Sequence, residues 1–474
     1  MTRYLVGIDN GSQSTKVTVF DEDGRVVSEG RRPLRPAVTP RPGVVEHPDD
    51  DLWSSVGEAA QEALRGFPGS PSDIEAVGLC TIRFCRAMLR ADGSLAHPVL
   101  SWMDDRVSAP YRHLDDSVAR VTTSSGYLTH RLTGEFRDTN ANYQGRWPID
   151  TTTGHWLDDG PAFDAFGLRR DQLVDLVAPG EVLGRVTAEA AERTGLPLGL
   201  PVVATANDKA VEALGSGLRA PDEVLLSLGT YIAAMAVGTD DVREADHFWT
   251  NSAAEPGAHL YESAGIRRGM WTVSWFRDLF PEAADEAARA GRSLEDVLGD
   301  EAAAAPAGAG GLLTVLDWLA PTERPHRRGA FLGFDGRQGR GHLYRSILEG
   351  IALTMADRSA AMAAELGRRT ERVVVAGGGS RSALMMQILA DVTGVETVRN
   401  AVGDGAGLGA AICGAVATGV HPSFAVAQEA MVRERDRFRP DPAAHALYRR
   451  LLDVHRDAAA ATDSLNRRLH ALEL

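Results

Sequence analysis

The feature that most constrains this 474-residue chain is a hairpin corner that occurs twice. Near the N-terminus an apolar strand, Tyr4 to Asp9, meets the turn Asn10-Gly11-Ser12-Gln13-Ser14 and returns as Thr15 to Asp21, with Val17 and Val19 alternating against Thr18 and Phe20. Asp23-Gly24 then turns the chain into Arg25 to Gly30. At mid-chain the shape recurs: Glu223 to Ser227, the turn Leu228-Gly229-Thr230, and Tyr231 to Val237. Asp9-Asn10-Gly11-Ser12 and Ser227-Leu228-Gly229-Thr230 hold equivalent places in the two hairpins, which predicts two structurally related halves. Both corners lead from strand to strand. P-loops and dinucleotide-binding turns lead from a strand into a helix, so neither motif describes them.

A chain of this length exceeds one ordinary core and predicts two domains, with the boundary near Ala220-Pro221. Its 50 Lys and Arg against 65 Asp and Glu give a net charge of −15. That charge repels phosphate backbones and anionic lipid, so no nucleic acid and no membrane is expected as a partner, and a small-molecule enzyme fits better. No apolar run reaches the length of a membrane span, and Met1-Thr2-Arg3 leads directly into a strand, so a cytoplasmic protein is expected. Cys80, Cys85 and Cys413 lack metal-ligand or disulfide spacing and read as reduced, buried thiols. His47, His97, His130 and His342 read as structural or surface residues. The sequence leaves assembly open, with a homodimer the default expectation.

Elsewhere the pattern predicts an amphipathic helix over Leu52 to Leu64, N-terminally capped by Asp49-Asp50-Asp51, and strands over Ile74 to Cys80 and Pro201 to Ala206. The second half reads as a long helix over His342 to Leu366, a strand over Arg372 to Val375, a helix over Ser380 to Thr393 and a small-residue helix over Gly407 to Gly419. Ala302 to Gly311 and Thr322 to Arg328 read as loops, and Ala444 to Leu474 as a terminal surface helix.

Three segments carry residues suited to chemistry. Successive backbone N–H groups in a turn form an anion nest, and in Gly11-Ser12-Gln13-Ser14-Thr15-Lys16 hydroxyls and a Lys supplement them, as a γ-phosphate would require. Asp9, at the strand end before this turn, suits a hydrated Mg²⁺, which takes one or two carboxylates and completes its shell with water and phosphate oxygens. Asn207-Asp208-Lys209 follows a buried strand, so the Asp208 carboxylate stands where strand gives way to helix. Finally, Val373 to Ser382 places three glycines, Gly377, Gly378 and Gly379, between a buried strand and a helix start. Three glycines cost backbone entropy without filling space, which suits the close approach of an adenine and its ribose or tight helix–strand packing.

Together these segments resemble the FGGY carbohydrate kinases of the actin-like ATPase superfamily over nearly the whole chain. Ile8 to Lys16 resembles the family's first phosphate loop, Leu226 to Thr230 its second, and Gly195 to Val203 followed by Asn207-Asp208 the stretch that delivers its catalytic aspartate. Gly329 to Phe334 and His342 to Gly350 resemble the C-terminal signature, with Phe334 in place of a smaller aliphatic residue; Gly377 to Ser382, with Gln387, Ala390 and Asp391, resembles the adenosine motif. The resemblance implies an α/β protein of two actin-like (ribonuclease-H-like) domains, residues 1–220 and 221–474, with a nucleotide cleft between them. It implies ATP with Mg²⁺, and phosphorylation of a hydroxyl on a small sugar, first of all a ketopentose such as xylulose. In that scheme Asp208 is the base and Asp9 holds the metal. Gly11, Ser12, Gln13, Ser14, Lys16, Gly229, Thr230 and Gly269 lie near the phosphates, and Gly377, Gly378 and Ser382 lie along the adenosine. Arg83, Phe84, Trp102, Asp104, Asn207 and Asp208 face the acceptor, with Trp102-Met103-Asp104-Asp105-Arg106 similar to the family's W-x-D-x-R motif. Trp102 reads as a core residue or a sugar platform.

Two departures keep the substrate open. Ile82-Arg83-Phe84 matches neither the Met-His pair of xylulose kinases nor the Arg-Glu pair of glycerol kinases. Between Arg106 and Tyr127 the Lys-Leu-Leu-Trp segment of the family is missing, which would widen the pocket or create an oligomer surface. The alternatives are a kinase for a polyol or another ketose, a phosphotransferase acting on carboxylates, and a non-catalytic actin-like nucleotide-dependent binding module.

Overall fold

The computed structural model describes residues 2–321 and 324–472, so two residues of the Thr322 to Arg328 loop and the last two of the chain lie outside the described residues. Two mixed sheets organise it. In the first, β1 (Tyr4–Asn10), β2 (Ser14–Asp21) and β3 (Val26–Pro33) form an antiparallel meander, and β4 (Ile74–Thr81) and β6 (Pro201–Asn207) run parallel to β1. With β5 (Val182–Arg185) at the edge, the order is β5-β6-β4-β1-β2-β3. The second sheet repeats this plan. Its meander is β7 (Glu223–Leu228), β8 (Ile232–Gly238) and β10 (His259–Ser263), extended by β9 (Phe248–Ser252). Parallel to β7 run β11 (Arg372–Ala376) and β12 (Glu396–Asn400), and β13 (Glu434–Phe438) closes the edge. Reading outward from the meander, both sheets give the same alternation of directions: the two corners predict such a pair of related halves, and the resemblance implies their actin-like, ribonuclease-H-like plan.

The helices that matter for the site are α1 (Asp51–Arg65), α2 (Ser124–Thr133), α3 (Asp208–Gly215), α4 (Arg340–Glu365), α5 (Ala383–Thr393), α6 (Gly405–Ala417) and α7 (Pro442–Ala461). α1 buries Leu52, Val56, Ala59, Ala60 and Ala63 on one stripe, the i, i+4, i+7 spacing of an amphipathic helix. α3 and α6 lie between the two sheets. One continuous apolar cluster joins Leu5, Ala76 and Val203 of the first sheet to Leu225, Val374 and Val398 of the second through Val211, Leu214, Leu408 and Ile412. Glycine makes this possible. A Cβ at Gly7 would lie 1.9 Å from the Gly407 carbonyl oxygen, and one at Gly78 2.0 Å from that of Ala410, so α6 rests directly on the backbones of β1 and β4.

Several expectations change. The run Asp49-Asp50-Asp51 does open α1, with Asp50 at the N-cap position and Asp51 in the first turn, but no side-chain hydrogen bond caps the helix; Asp51 is buried as the ion-pair partner of Arg32 (2.6 Å) and Arg35 (3.0 Å), and Asp50 holds Arg131 and the Tyr127 hydroxyl. Desolvation demanded those partners, since a buried carboxylate without cations is costly. Ala302 to Gly311 is not an open loop: a helix runs on through Ala304, and Ala302 and Ala309 are fully buried. The C-terminal segment is two helices, α7 and Asp463–His470, and α7 sinks Tyr448 into the second half's core. The short segment after Arg106 packs Tyr111 against a separate aromatic cluster with Tyr143, Trp147 and Phe163. All three cysteines are buried and free.

Candidate active site

The parallel strands β1, β4, β6 and β7, β11, β12 all end at one face, and open α/β sheets carry their ligands beyond such carboxyl ends. Asp9, Asp208, the two glycine corners and the Gly377 turn all sit there. The corners approach each other: Gln13 Nε2 lies 3.5 Å from Thr230 Oγ1. Gly11 donates its amide to the Ser14 carbonyl at 3.2 Å and closes the first turn, leaving Ser12 and Gln13 exposed at its tip. The Ser14 hydroxyl is buried and takes Arg31 Nε at 3.2 Å, so it braces the loop and does not stand free. In the second turn Gly229 and Thr230 present their backbone carbonyls to the Met270 and Gly269 amides at 3.1 and 2.7 Å. Gly269, expected near the phosphates, lies beside this corner, but its N–H is spent in tying the helix Gly269–Asp278 to the turn.

Lys16 bridges two carboxylates, Asp9 and Asp404, each at 3.6 Å. Asp404 also accepts from Thr18 Oγ1 at 3.2 Å and caps α6 through the Gly407 amide at 3.2 Å. Burial and the neighbouring Asp404 push the Asp9 carboxyl up to about 7, with Lys16 working against the rise. Burial opposes the Lys16 charge, but Asp404 and Asp9 outweigh it and hold the ammonium above its ordinary value. Two crowded carboxylates at 14% exposure, beside phosphate-sized corners, form a donor set that fits a hard divalent cation. Sequence reasoning missed Asp404 by starting its helix at Gly407; the signal was an Asp shortly after a strand and immediately ahead of a glycine-rich helix.

Asp208 opens α3. Its neighbour Asn207 caps the helix, accepting from the Lys209 and Ala210 amides at 3.1 Å each, while Asn207 Nδ2 is buried with no partner among the described residues. The Asp208 side chain keeps 28% exposure, and its Oδ1 lies 3.0 Å from the Lys209 amide and 3.9 Å from Arg83 Nε. Burial raises the carboxyl above the ordinary Asp value, and Arg83 and Lys209 restrain that rise. Lys209 Nζ in turn binds Glu212 (2.9 Å) and Ser227 Oγ (2.8 Å), joining the α3 side of the site to the strand that leads into the second corner.

Arg83 reaches across the halves to Glu262 on β10, with NH1 and NH2 at 2.7 and 2.8 Å from its two oxygens. Phe84 adopts a left-handed backbone (φ 66°), a strained state for a bulky residue, and its ring lies 5.2 Å from the Arg83 guanidinium. Arg86 and Leu100 exchange backbone hydrogen bonds at 3.1 and 2.9 Å, which ties the segment carrying Phe84 to the segment carrying Trp102. Trp102 is 47% exposed, which overturns its reading as a core residue. Asp104 is corrected in the other direction. It is fully buried, and its oxygens accept from the Val45 and Arg106 amides and the Arg106 guanidinium at 2.7–2.9 Å, so it shapes the segment after Trp102 and offers nothing to a substrate.

On the second half, Gly377 (φ 82°) and Gly379 press on Leu228, each with a hypothetical Cβ under 3.0 Å from it, whereas Gly378 faces open space. The glycines are thus partly demanded by packing against the strand that feeds the second corner, and partly leave a free face. Ser382 caps α5, accepting the Met385 amide at 3.2 Å. Gly377→Ala would force the turn away from Leu228 at roughly 1–3 kcal/mol, and nucleotide affinity is expected to fall about tenfold in titration.

Family models match both halves of this architecture: the N-terminal domain of the FGGY family of carbohydrate kinases over residues 4–120 and 111–215, and its C-terminal domain over 224–418. The chain belongs to the FGGY family of carbohydrate kinases. This FGGY kinase is 47% identical to a protein of Escherichia coli K12 described as the uncharacterized sugar kinase YgcE, over 92% of this chain and 89% of that one. It is 28% identical to an autoinducer-2 kinase of E. coli, covering 94% and 92% of the two chains. Among solved structures, the xylulose kinase of Rhodospirillum rubrum superposes with a TM-score of 0.82 at 25% identity, covering 98% of this chain and all of that one. As a sugar kinase of this family it uses ATP. No helix among the described residues is long and apolar enough to cross a membrane.

Proposed function

We propose that this FGGY kinase transfers the γ-phosphoryl group of ATP to a hydroxyl of a small ketose, with a ketopentose such as xylulose as the first candidate and other ketoses or polyols as alternatives. The observation that carries the reading is Asp208: a part-exposed carboxylate at the start of a helix, beside Arg83 and on the face where the two glycine corners meet. Its carboxylate would accept the proton of the attacking hydroxyl, while the Arg83 Nε–H and the unpartnered Asn207 Nδ2 orient neighbouring hydroxyls. Phe84 and Trp102 would form the wall of the acceptor site.

Ser12, Gln13, Lys16, Gly229 and Thr230 would hold the phosphates, and the open face of Gly378, flanked by Gly377 and Ser382, would take the adenosine. Asp9 and Asp404 fit Mg²⁺, which when bound neutralises charge on the phosphate oxygens. Residues 1–220 and 221–474 would be the two bodies that close and exclude water, and the cytoplasm, where ATP is plentiful, would be the compartment in which they work. The name of the Rhodospirillum relative supports the ketopentose; that of the E. coli autoinducer-2 kinase is the reason to add autoinducer-2 to the panel.

The test is ADP release by the full-length protein on a panel of ketoses, polyols, carboxylates and autoinducer-2. Release that rises only with a ketose or polyol is the expected outcome; release without an acceptor, or with carboxylates alone, contradicts it. The active form of Asp208 is the carboxylate, so kcat falls as pH drops through its ionisation, and burial sets that acid limb above the range of an exposed Asp. Arg83 favours the charged form, so in Arg83→Met the acid limb is expected at higher pH, read from a pH–rate profile.

A further inference from the structure

We propose that a cavity behind the connection between the halves is a second ligand site, suited to a small organic anion with an apolar body, and that its occupant favours the closed cleft. The inference goes beyond the phosphoryl-transfer reading and takes from it only the closure of two bodies over a nucleotide. The cavity measures about 370 Å³, which lies within the range of small-molecule sites, roughly 300–1,000 Å³. Both halves line it: Leu214 of α3 with Leu218 and Arg219 of the connection on one side, and Val237 of β8, the turn joining β9 to β10, and Arg368 after α4 on the other. β8 ends and β10 begins away from the Gly229-Thr230 corner, so the cavity and the nucleotide cleft lie at opposite ends of the second sheet.

The chemistry of the cavity comes from two guanidiniums. Arg368 donates NH1 to the Val237 carbonyl at 2.7 Å and lies 5.3 Å over the Tyr261 ring, contacts that orient it without neutralising it. Arg219 gives its backbone N–H to Glu223 at 3.2 Å, and its side chain has no partner among the described residues. Neither guanidinium is ion-paired among those residues, in a chain whose net charge is −15. The one carboxylate on the lining, Glu255, stands exposed on the β9–β10 turn and pairs with neither. Two uncompensated guanidiniums beside Leu214, Leu218, Pro221 and Val237 suit a carboxylate or phosphate monoester carried on a hydrocarbon skeleton.

The coupling to the cleft runs through α3. Ala210, Ala213 and Leu214 line the cavity from a helix about 12 Å long whose first residue is Asp208. Gln428, on the second-half helix Phe424–Met431, ties down the end of α3 and the connection through the Leu214 and Leu218 carbonyls at 2.8 and 3.3 Å. In this same arrangement Gln13–Thr230, Arg83–Glu262 and Gln144–Asn251 join the halves across the cleft. Parting the halves moves one wall of the cavity against the other, so a ligand that fits it here binds this arrangement in preference to an open one. Nucleotide and anion then strengthen each other by the same factor.

The experiment titrates benzoate, phenyl phosphate, benzyl alcohol and inorganic phosphate calorimetrically into the full-length protein saturated with Mg²⁺ and the β,γ-imido analogue of ATP, which fills the phosphate corners. Benzoate or phenyl phosphate is expected to bind at one site, at least about tenfold tighter than benzyl alcohol, which lacks the charge, or inorganic phosphate, which lacks the apolar body. Whichever of the two binds names the acidic group. Arg219→Gln is expected to weaken that binding at least about tenfold, whereas Arg369→Gln, exposed and outside the lining, leaves it unchanged. The bound anion is expected to tighten the analogue at least about fivefold, and the analogue to tighten the anion equally. Absence of binding by both anions overturns the proposal, and this arm needs no variant to fold. Benzyl alcohol or inorganic phosphate binding as tightly, or an affinity unchanged in Arg219→Gln, overturns it too. Anion binding that leaves the analogue's affinity unaltered overturns the coupling. Failure of the analogue to bind contradicts the nucleotide cleft instead, and the same titration of the bare protein then decides the cavity.

Discussion

Asp208→Asn is expected to lower turnover by at least about 10²-fold while leaving nucleotide affinity within about threefold. The amide keeps the shape of the side chain and an oxygen for the Lys209 amide, now 3.0 Å from Asp208 Oδ1, so α3 and its Asn207 cap should be undisturbed. What disappears is the group that takes the hydroxyl proton. Phosphoryl transfer needs little covalent help from a protein, so the remaining rate comes from positioning and charge neutralisation, which this substitution spares. Steady-state ADP release and nucleotide titration on the same preparation separate the two effects. Near-normal turnover would remove Asp208 from the chemistry.

The second large effect is expected at the glycines under α6. In Gly7→Ala a Cβ would fall 1.9 Å from the Gly407 carbonyl oxygen, and the obstacle is backbone on both sides, so no rotamer relieves it. Either β1 or α6 must move. Overpacking of this kind costs about 2–3 kcal/mol, which for a protein of two such halves is a Tm loss of about 5–10 °C. The displacement also reaches the site, because α6 begins at the cap Asp404, whose other oxygen contacts are Lys16 and Thr18. Weakened nucleotide binding should accompany the loss of stability. Gly66→Ala is the control: its Cβ would meet nothing closer than 3.6 Å, and its Tm should be unchanged or slightly higher. Equal Tm values for the two variants would contradict the packing described for α6.

The contrast between Asp208 and Glu262 explains what the sequence could disclose. Asp208 closes a mostly apolar stretch, Pro201 to Ala206 with Thr205 as its one polar residue, whose end at Asn207 is visible from local pattern alone, and strand ends of parallel sheets are where functional groups gather. Gly11 and Gly229 were legible for the same reason, as corners within short hairpins. Glu262 lies inside a strand, His259–Ser263, with nothing local to distinguish it from any inward-facing polar residue. Its partner Arg83 is 179 positions away, and only the apposition of the two halves joins them. Trp102 is ambiguous in sequence for a related reason: an isolated large apolar residue usually seeks the core, and only the structure separates that reading from the exposed platform, with the residue 47% exposed. Asp104 shows the reverse, a motif residue whose hydrogen bonds are all spent on its own neighbourhood.

The central claim is that a phosphoryl group passes from ATP to an acceptor hydroxyl across the face where Asp208 stands. The most direct measurement is ³¹P nuclear magnetic resonance of a reaction containing the full-length protein, ATP, Mg²⁺ and the best acceptor from the panel. The account predicts a phosphate-ester resonance, coupled to protons of the acceptor and growing in step with ADP, that is lost in Asp208→Asn. Inorganic phosphate growing in its place would contradict it.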